Sequence, residues 1–347
     1  EPKEALADER RLFYVALTRA RRSVTATCPF ETNEGRELLP SVFLAELKPS
    51  LLESVDTAPA EAAFQSAPEV RFAPPAVRNE TLKDPSFIRE RFIQNGLSVT
   101  ALNNYLACPW RYFYTNLLRI PKPKTIHQMY GTAIHAALRD FFASAPERPL
   151  VPETLTAAFT RALNAEPLEP ADYEAAHARG LAALDGYYRH ARDRWRFPVL
   201  TEFSVPDVML APDIRLTGKI DKIEFLGAGN EVNVVDYKTG KPKSRKVIEG
   251  VTASSAGDIK RQLVFYQLLL DRHEDGRYRM VSGEGDFVEP DDRGNYHREQ
   301  YAIPPAEVME LARLAETVGG EILSLSFWDR RCDDTTCEFC VLRNLLR

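Results

Sequence analysis

Two carboxylates and a lysine near the middle of the chain have the types and spacing for work on a phosphate. Asp221 ends Gly218-Lys219-Ile220-Asp221, and Asp236 opens Asp236-Tyr237-Lys238-Thr239-Gly240. If the two segments are neighbouring strands, the carboxylates stand close enough to repel, and a divalent cation between them relieves that repulsion. Carboxylate oxygens are hard ligands, which suits magnesium or manganese. Lys238, two positions after Asp236, shares its face of the strand and can point at the same phosphate. There it can orient an attacking water or offset charge that develops in the transition state. An isolated Asp-x-Lys is more often a surface ion pair of little consequence, so its companions matter. His135, in Gly131-Thr132-Ala133-Ile134-His135, can complete a coordination shell or simply pack. Gln262 and Tyr266, four apart on a predicted helix, share one face. Glu202, in the strand before Asp221, is a further candidate to face the site.

Soft ligands are also present. Of five cysteines, Cys332, Cys337 and Cys340 crowd together near the end, while Cys108 stands far upstream. Thiolates spaced this closely present several sulfurs to one metal centre, zinc or iron–sulfur, and such a centre would tie the end of the domain to its beginning. The odd count and the lack of a secretory signal argue against a disulfide framework. Cys28 reads as incidental.

The formal net charge of −5 argues at face value against a nucleic-acid partner, but its distribution does not. No Asp or Glu occurs from Leu97 to Arg139, where Arg111, Arg119, Lys122, Lys124 and Arg139 interleave with Tyr105, Trp110, Tyr112, Phe113, Tyr114 and Tyr130. Lys241, Lys243, Arg245 and Lys246 follow Lys238 as a second basic cluster. Both suit a single-stranded path, with aromatic faces stacking on bases; the alternative is a solvated face over core aromatics. No run of 18 apolar residues appears, so a soluble, intracellular chain is expected.

The elements that must position these groups are legible as periodicity. Ser98 or Thr100 caps a helix towards Asn116, and Tyr130–Phe142, Pro152–Ala165 and Ala171–Arg194 read as amphipathic helices. The period then changes to two over Val199–Val205, Ile214–Phe225 and Val232–Tyr237, with a turn at Pro206–Asp213. Ile259–Asp271 is a predicted helix, Tyr278–Val288 a strand and Pro304–Ser324 a helix. An α/β core with a helical insertion results. Ahead of it, residues 1–48 contain a charged helix around Asp8–Arg21 and a short one near Pro40–Leu47, and 49–96 reads as a linker or extended wrap.

Taken in order and spacing, the motifs at Gly131–His135, Gly218–Asp221, Asp236–Gly240 and Gln262–Tyr266 resemble those of RecB-type nucleases of the PD-(D/E)XK superfamily. The resemblance covers residues 97–347. It implies a restriction-endonuclease-like mixed sheet with flanking helices, and a Mg- or Mn-dependent deoxyribonuclease acting on DNA, a single-strand exonuclease above all; the alternative is a catalytically silent module that grips DNA or a partner subunit of a helicase–nuclease. His135, Asp221 and Asp236 would be metal ligands, with the Tyr237 carbonyl a further one, Lys238 the catalytic lysine, and Gln262 and Tyr266 part of the site. One cysteine before the histidine motif and three at the end resemble the iron–sulfur nucleases of AddB type. That implies a structural [4Fe-4S] cluster on Cys108, Cys332, Cys337 and Cys340, with a four-cysteine zinc site as the competitor.

Residues 1–48 carry a second resemblance, to motif VI of UvrD-like superfamily 1 helicases, in which Arg19 of Leu17-Thr18-Arg19-Ala20 would reach a nucleotide's γ-phosphate. No G-x-x-x-x-G-K-[ST] loop is present, so an autonomous ATPase is not expected. The expectation is the C-terminal part of a bacterial helicase–nuclease, cytoplasmic and associated with the nucleoid, partnered by the rest of the helicase core and by a second subunit.

Overall fold

A computed structural model describes residues 2–31, 36–66, 82–145, 149–253 and 255–343. The chain divides into two compact units, Glu1–Val77 and Arg78–Arg347. In the first, α1 (Pro2–Thr18), α2 (Val42–Ala45) and α3 (Ala58–Ser66) are joined by irregular chain. Arg10 on α1 forks onto the Glu46 carboxylate at 2.7 and 2.8 Å, and Phe13 meets Phe43 at a ring separation of 5.7 Å. Leu12, Tyr14 and Val15 are exposed.

The second unit opens with α4 (Pro85–Asn95), inside the stretch read as linker or wrap. Asp84 caps it by accepting a hydrogen bond from the Ser86 amide at 2.9 Å, and Ile88 and Phe92 are fully buried. Next, α5 (Val99–Ala107) begins at its Ser98 cap. The single helix predicted to run to Asn116 breaks at Cys108, where the backbone is extended, and resumes as α6 (Pro109–Tyr112) followed by a π-helical turn at Phe113–Leu117. Pro109 causes the break, because the residue before a proline is pushed out of the helical region.

Three helices follow: α7 (Ile126–Ala143), which starts at a Thr125/Gln128 capping box, α8 (Pro152–Asn164) and α9 (Pro170–Ala191). Gly180 lets α9 lie directly on the Phe159 ring of α8, where any side chain would overlap it.

The sheet comprises β1 (Val199–Ala211), β2 (Ile214–Phe225), β3 (Glu231–Lys238), β4 (Arg279–Phe287) and β5 (Arg298–Tyr301), in that spatial order. All neighbours are antiparallel except β3 and β4. The turn expected at Pro206–Asp213 is shorter than that. Strand β1 continues through Pro206 by means of a register shift between Val205 and Val208, which an edge strand permits for a residue lacking an amide hydrogen. The short α10 (Arg245–Ile248), then α11 (Asp258–Arg272), α12 (Pro305–Leu323) and α13 (Glu338–Leu342) complete the unit. The strand β5 carried no clear alternation and was not expected.

The sheet separates two cores. One joins α4, α5, α11 and α12 to Ile223, Val232, Val234 and Phe287; the other joins α7, α8 and α9 to Val235, Tyr237 and Val288. The helical insertion therefore covers the part of the sheet face that carries Lys222, Glu224, Asn233 and Asp286, and buries these polar side chains. Lys222 is 1% exposed and pairs with Glu224 at 2.8 Å while lying 4.1 Å from the Phe142 ring centre. Asn233 donates to Glu224 at 3.1 Å, Ser282 donates to Asn233 at 2.7 Å, and the Tyr187 hydroxyl donates to Asp286 at 2.6 Å. Arg298 pairs with Glu284. Burial raises the carboxyl pKa values of both Glu284 and Asp286. No described helix is long and apolar enough to cross a membrane.

Removing one member of a buried ion pair strands the other. Lys222→Met should therefore lower unfolding free energy by about 3–5 kcal/mol, while Lys222→Met with Glu224→Leu should recover most of it. Urea denaturation of the two variants checks this; equal losses in both would contradict it.

Candidate active site and a four-thiol centre

The catalytic candidates converge where β3 ends. The ladder pairs Lys222 with Val235, so Asp221 and Asp236 lie at adjacent positions just beyond it, as expected from neighbouring strands. The Tyr237 amide donates to Asp221 Oδ2 at 2.9 Å. His135 reaches the site from α7, with Nδ1 3.3 Å from Asp221 Oδ1. Gly131, one turn earlier, allows the approach: a Cβ there would lie 3.2 Å from Thr239 Oγ1.

Helix α11 holds the other carboxylate. Gln262 Nε2 and the Tyr266 hydroxyl both donate to Asp236 Oδ1, at 2.6 and 3.1 Å, and Gln262 Nε2 also lies 2.7 Å from that hydroxyl. Gly218 lets Leu269 of the same helix press against β2, where a side chain would collide with it. Lys238 Nζ donates to Gln262 Oε1 at 2.8 Å and lies 2.5 Å from Asp236 Oδ2. That last contact is an ion pair, so the Lys238 ammonium is the partner of the buried Oδ2.

The electrostatics follow from burial. Asp236 is 2% exposed. Its burial raises its pKa, Lys238 opposes that shift, and Asp221 adds to it. Burial alone would lower the His135 pKa, but the hydrogen bond and charge of Asp221, with the charge of Asp236, raise it on balance. Burial also lifts Tyr266 well above the ordinary tyrosine range, with Asp236 and Asp221 adding to the effect. The phenol therefore stays protonated and remains a donor.

These residues fit a divalent cation. His135, Glu202 and Asp221 offer ligand atoms all within 4.8 Å of one another, and the Asp236 carboxylate, paired with Lys238, adds hard oxygen beside them. Glu202, the most weakly indicated residue in the sequence, is thus central to the site. The strand pattern carried no signal for its left-handed backbone, φ 51°.

The four expected cysteines also converge. Cys108 Sγ lies 3.7 Å from Cys340 and 3.8 Å from Cys337, and Cys332 lies 3.6 Å from Cys340. Cys108 is the break residue between α5 and α6, and Cys337 caps α13. Burial raises the Cys108 thiol pKa. Burial acts the same way on Cys337, but the Cys340 amide, the Cys332 thiol and the Phe339 amide together bring its pKa below the usual value. Cys28 is not in the cluster. Trp110, Phe113, Phe327 and Trp328 pack beside the centre in a set of edge-to-face contacts.

That packing corrects one expectation. Tyr105, Trp110, Tyr112, Phe113, Tyr114 and Tyr130 are all buried, so they are core residues and do not stack on bases. Of the interleaved cations, Lys122 pairs with Glu338 and Lys124 with Glu166 on the surface. In the second cluster Lys241 pairs with Asp292 and Arg245 with Glu249, while Lys243 and Lys246 are exposed. Arg19 is exposed just after α1.

Comparison with known proteins accords with this geometry. No curated protein matches the sequence. A solved structure from Eubacterium rectale, provisionally described as an exonuclease, is similar with a TM-score of 0.42 and 10% identity, over 73% of this chain and 90% of that one; a likeness so distant carries no argument. The profile of the PD-(D/E)XK nuclease superfamily matches residues 96–345, which takes in every motif of the site and all four clustered cysteines. The chain belongs to the PD-(D/E)XK nuclease superfamily.

Proposed function

We propose that the chain is a Mg- or Mn-dependent deoxyribonuclease that degrades single-stranded DNA as an exonuclease. The observation that carries the reading is Asp236, held through one oxygen by Gln262 and Tyr266 and paired through the other with Lys238 at 2.5 Å, beside Asp221 and His135. Asp221, Asp236 and His135 would hold the cation, with the Tyr237 carbonyl as a further ligand. When bound, the cation supplies Lewis-acid stabilisation of the phosphodiester's developing charge. Lys238, fixed by Gln262 Oε1, orients the attacking water and offsets that charge from the other side. Gln262 and Tyr266 keep Asp236 aimed, so the site is ready before substrate arrives. Lys243 and Lys246, exposed just past Lys238, suit a phosphate backbone leading to the site.

The wider setting is a proposal of the same kind. The motif VI resemblance around Arg19 supports a parent helicase–nuclease of the bacterial cytoplasm, working at the nucleoid in repair or recombination, in which a motor feeds a strand to this domain. The exposed Leu12, Tyr14 and Val15 of α1 suit burial against the rest of that motor. A second subunit fits the same setting.

The cysteines are proposed to form a structural clasp. Four thiols suit zinc or an iron–sulfur cluster. The resemblance to AddB-type nucleases favours [4Fe-4S]. The sulfur separations of 3.6–3.8 Å favour zinc, since a tetrahedron with metal–sulfur bonds of about 2.3 Å has edges of about 3.8 Å. A four-iron cube is bulkier and requires the side chains to turn outward.

Asp236→Ala and Lys238→Ala should each slow Mn-dependent digestion of single-stranded DNA by about 100-fold or more, with melting temperature and clasp metal retained. Digestion at the parental rate by both variants would refute the assignment. Metal analysis of anaerobically purified protein separates the clasp readings: iron with inorganic sulfide and a brown colour means the cluster, and stoichiometric zinc means the single ion. With either metal, Cys340→Ser should lower the melting temperature first and lose nuclease activity only through unfolding.

A further inference from the structure

Glu202 lies beside the site, and the function proposed above gives it no role. The ladder pairs Thr201 with Lys222 and Phe203 with Ile220, so Glu202 stands across from Asp221. Two carboxylates directly opposed on paired strands repel. Glu202 nevertheless adopts a left-handed backbone, φ 51°, a conformation that costs an ordinary residue free energy and persists only where the surroundings hold it. Its carboxylate ends within 4.8 Å of ligand atoms of both Asp221 and His135, and it is paired with Lys219, two residues before Asp221 on β2. The neighbouring Asp236 adds a buried carboxylate, paired with Lys238. An acid turned towards another acid and an imidazole, with one half-exposed ammonium as its balance, is the donor set of a cation site and a poor surface ion pair.

We propose that Glu202 is itself a ligand of the divalent cation, sharing it with Asp221 and His135, and that Lys219 competes with the cation for that carboxylate. This rests on the nuclease reading above. An ammonium at 57% side-chain exposure is easily displaced by a dication. Once displaced, Lys219 is free at the site's mouth, where its charge suits the scissile strand's phosphates. Lys219 thereby links cation entry to substrate binding.

The test is Mn2+ binding to the whole chain, followed by electron paramagnetic resonance, with inner-sphere waters counted from the coupling of exchangeable protons. Glu202→Gln is expected to weaken Mn2+ binding about tenfold, as loss of a charged ligand does, and to add a water to the bound ion. Glu202→Asp keeps the charge but shortens the reach, and should weaken binding as well. Lys219→Met should tighten it severalfold. An unchanged water count in Glu202→Gln overturns the ligand assignment whatever the affinity, and unchanged or weaker binding in Lys219→Met overturns the competition. Asp221→Asn separates this from the underlying reading. If it binds Mn2+ as tightly as the parent, the cation site itself is misplaced; if it alone loses binding while both Glu202 variants keep it, only the Glu202 proposal fails. Circular dichroism melts and clasp-metal content confirm that each variant is folded.

Discussion

Burial of the Asp236 carboxylate is the constraint on which the site depends. A charge this far from water is tolerated only when hydrogen bonds and an opposite charge replace its hydration. Helix α11 supplies two donors to one oxygen, and Lys238 supplies the charge on the other side. Each of these partners depends on a close backbone approach. Gly218 lets α11 press against β2, and Gly131 lets α7 deliver His135 past Thr239. The site is rigid because it sits on the ends of strands braced by helices from both faces, rather than on loops.

The helical insertion does more than enclose the sheet. Its layer of α7, α8 and α9 buries a row of charged and amide side chains running from Lys222 and Glu224 through Asn233 to Asp286. Tyr237 belongs to this face, stacked with Phe142 and edge-on to Tyr187, while its own amide binds Asp221. The ionic row and the catalytic carboxylates are therefore braced by the same residue from opposite sides of one strand. On the other side of the unit the four thiols join the α5–α6 break to α13. Cys108 and Cys340 are 232 residues apart in sequence, so the clasp's contribution is one of chain entropy as much as bonding.

Much of this was legible in the residues. Alternation over Ile214–Phe225 marked β2 to the residue, because its apolar and polar side chains point to opposite faces and leave a period of two. The spacing of Asp221, Asp236, Lys238, Gln262 and Tyr266 marked groups that share strand or helix faces, and such relations are local enough to survive in sequence. The cysteines were legible because thiols so close in sequence have few other uses. The profile match over residues 96–345 bears out the PD-(D/E)XK superfamily to which those motifs pointed.

What only the tertiary structure decided depends on what lies opposite each residue. The aromatics from Tyr105 to Tyr130 read equally as a stacking platform or a core, because hydrophobicity does not say what covers it; packing against Phe327 and Trp328 settled the second. Lys222 and Glu224 are charged residues in a strand, and nothing in the strand's pattern says that α7 lies over them; the structure buries both. Glu202 entered the site through a single left-handed backbone angle that no periodicity encodes. By itself the sequence determined the elements and the chemistry of their side chains, since propensity, period and spacing act over a few residues. Burial, and with it which charges must find partners, is a property of distant segments meeting, and that was decided only when the sheet closed between its two helical layers.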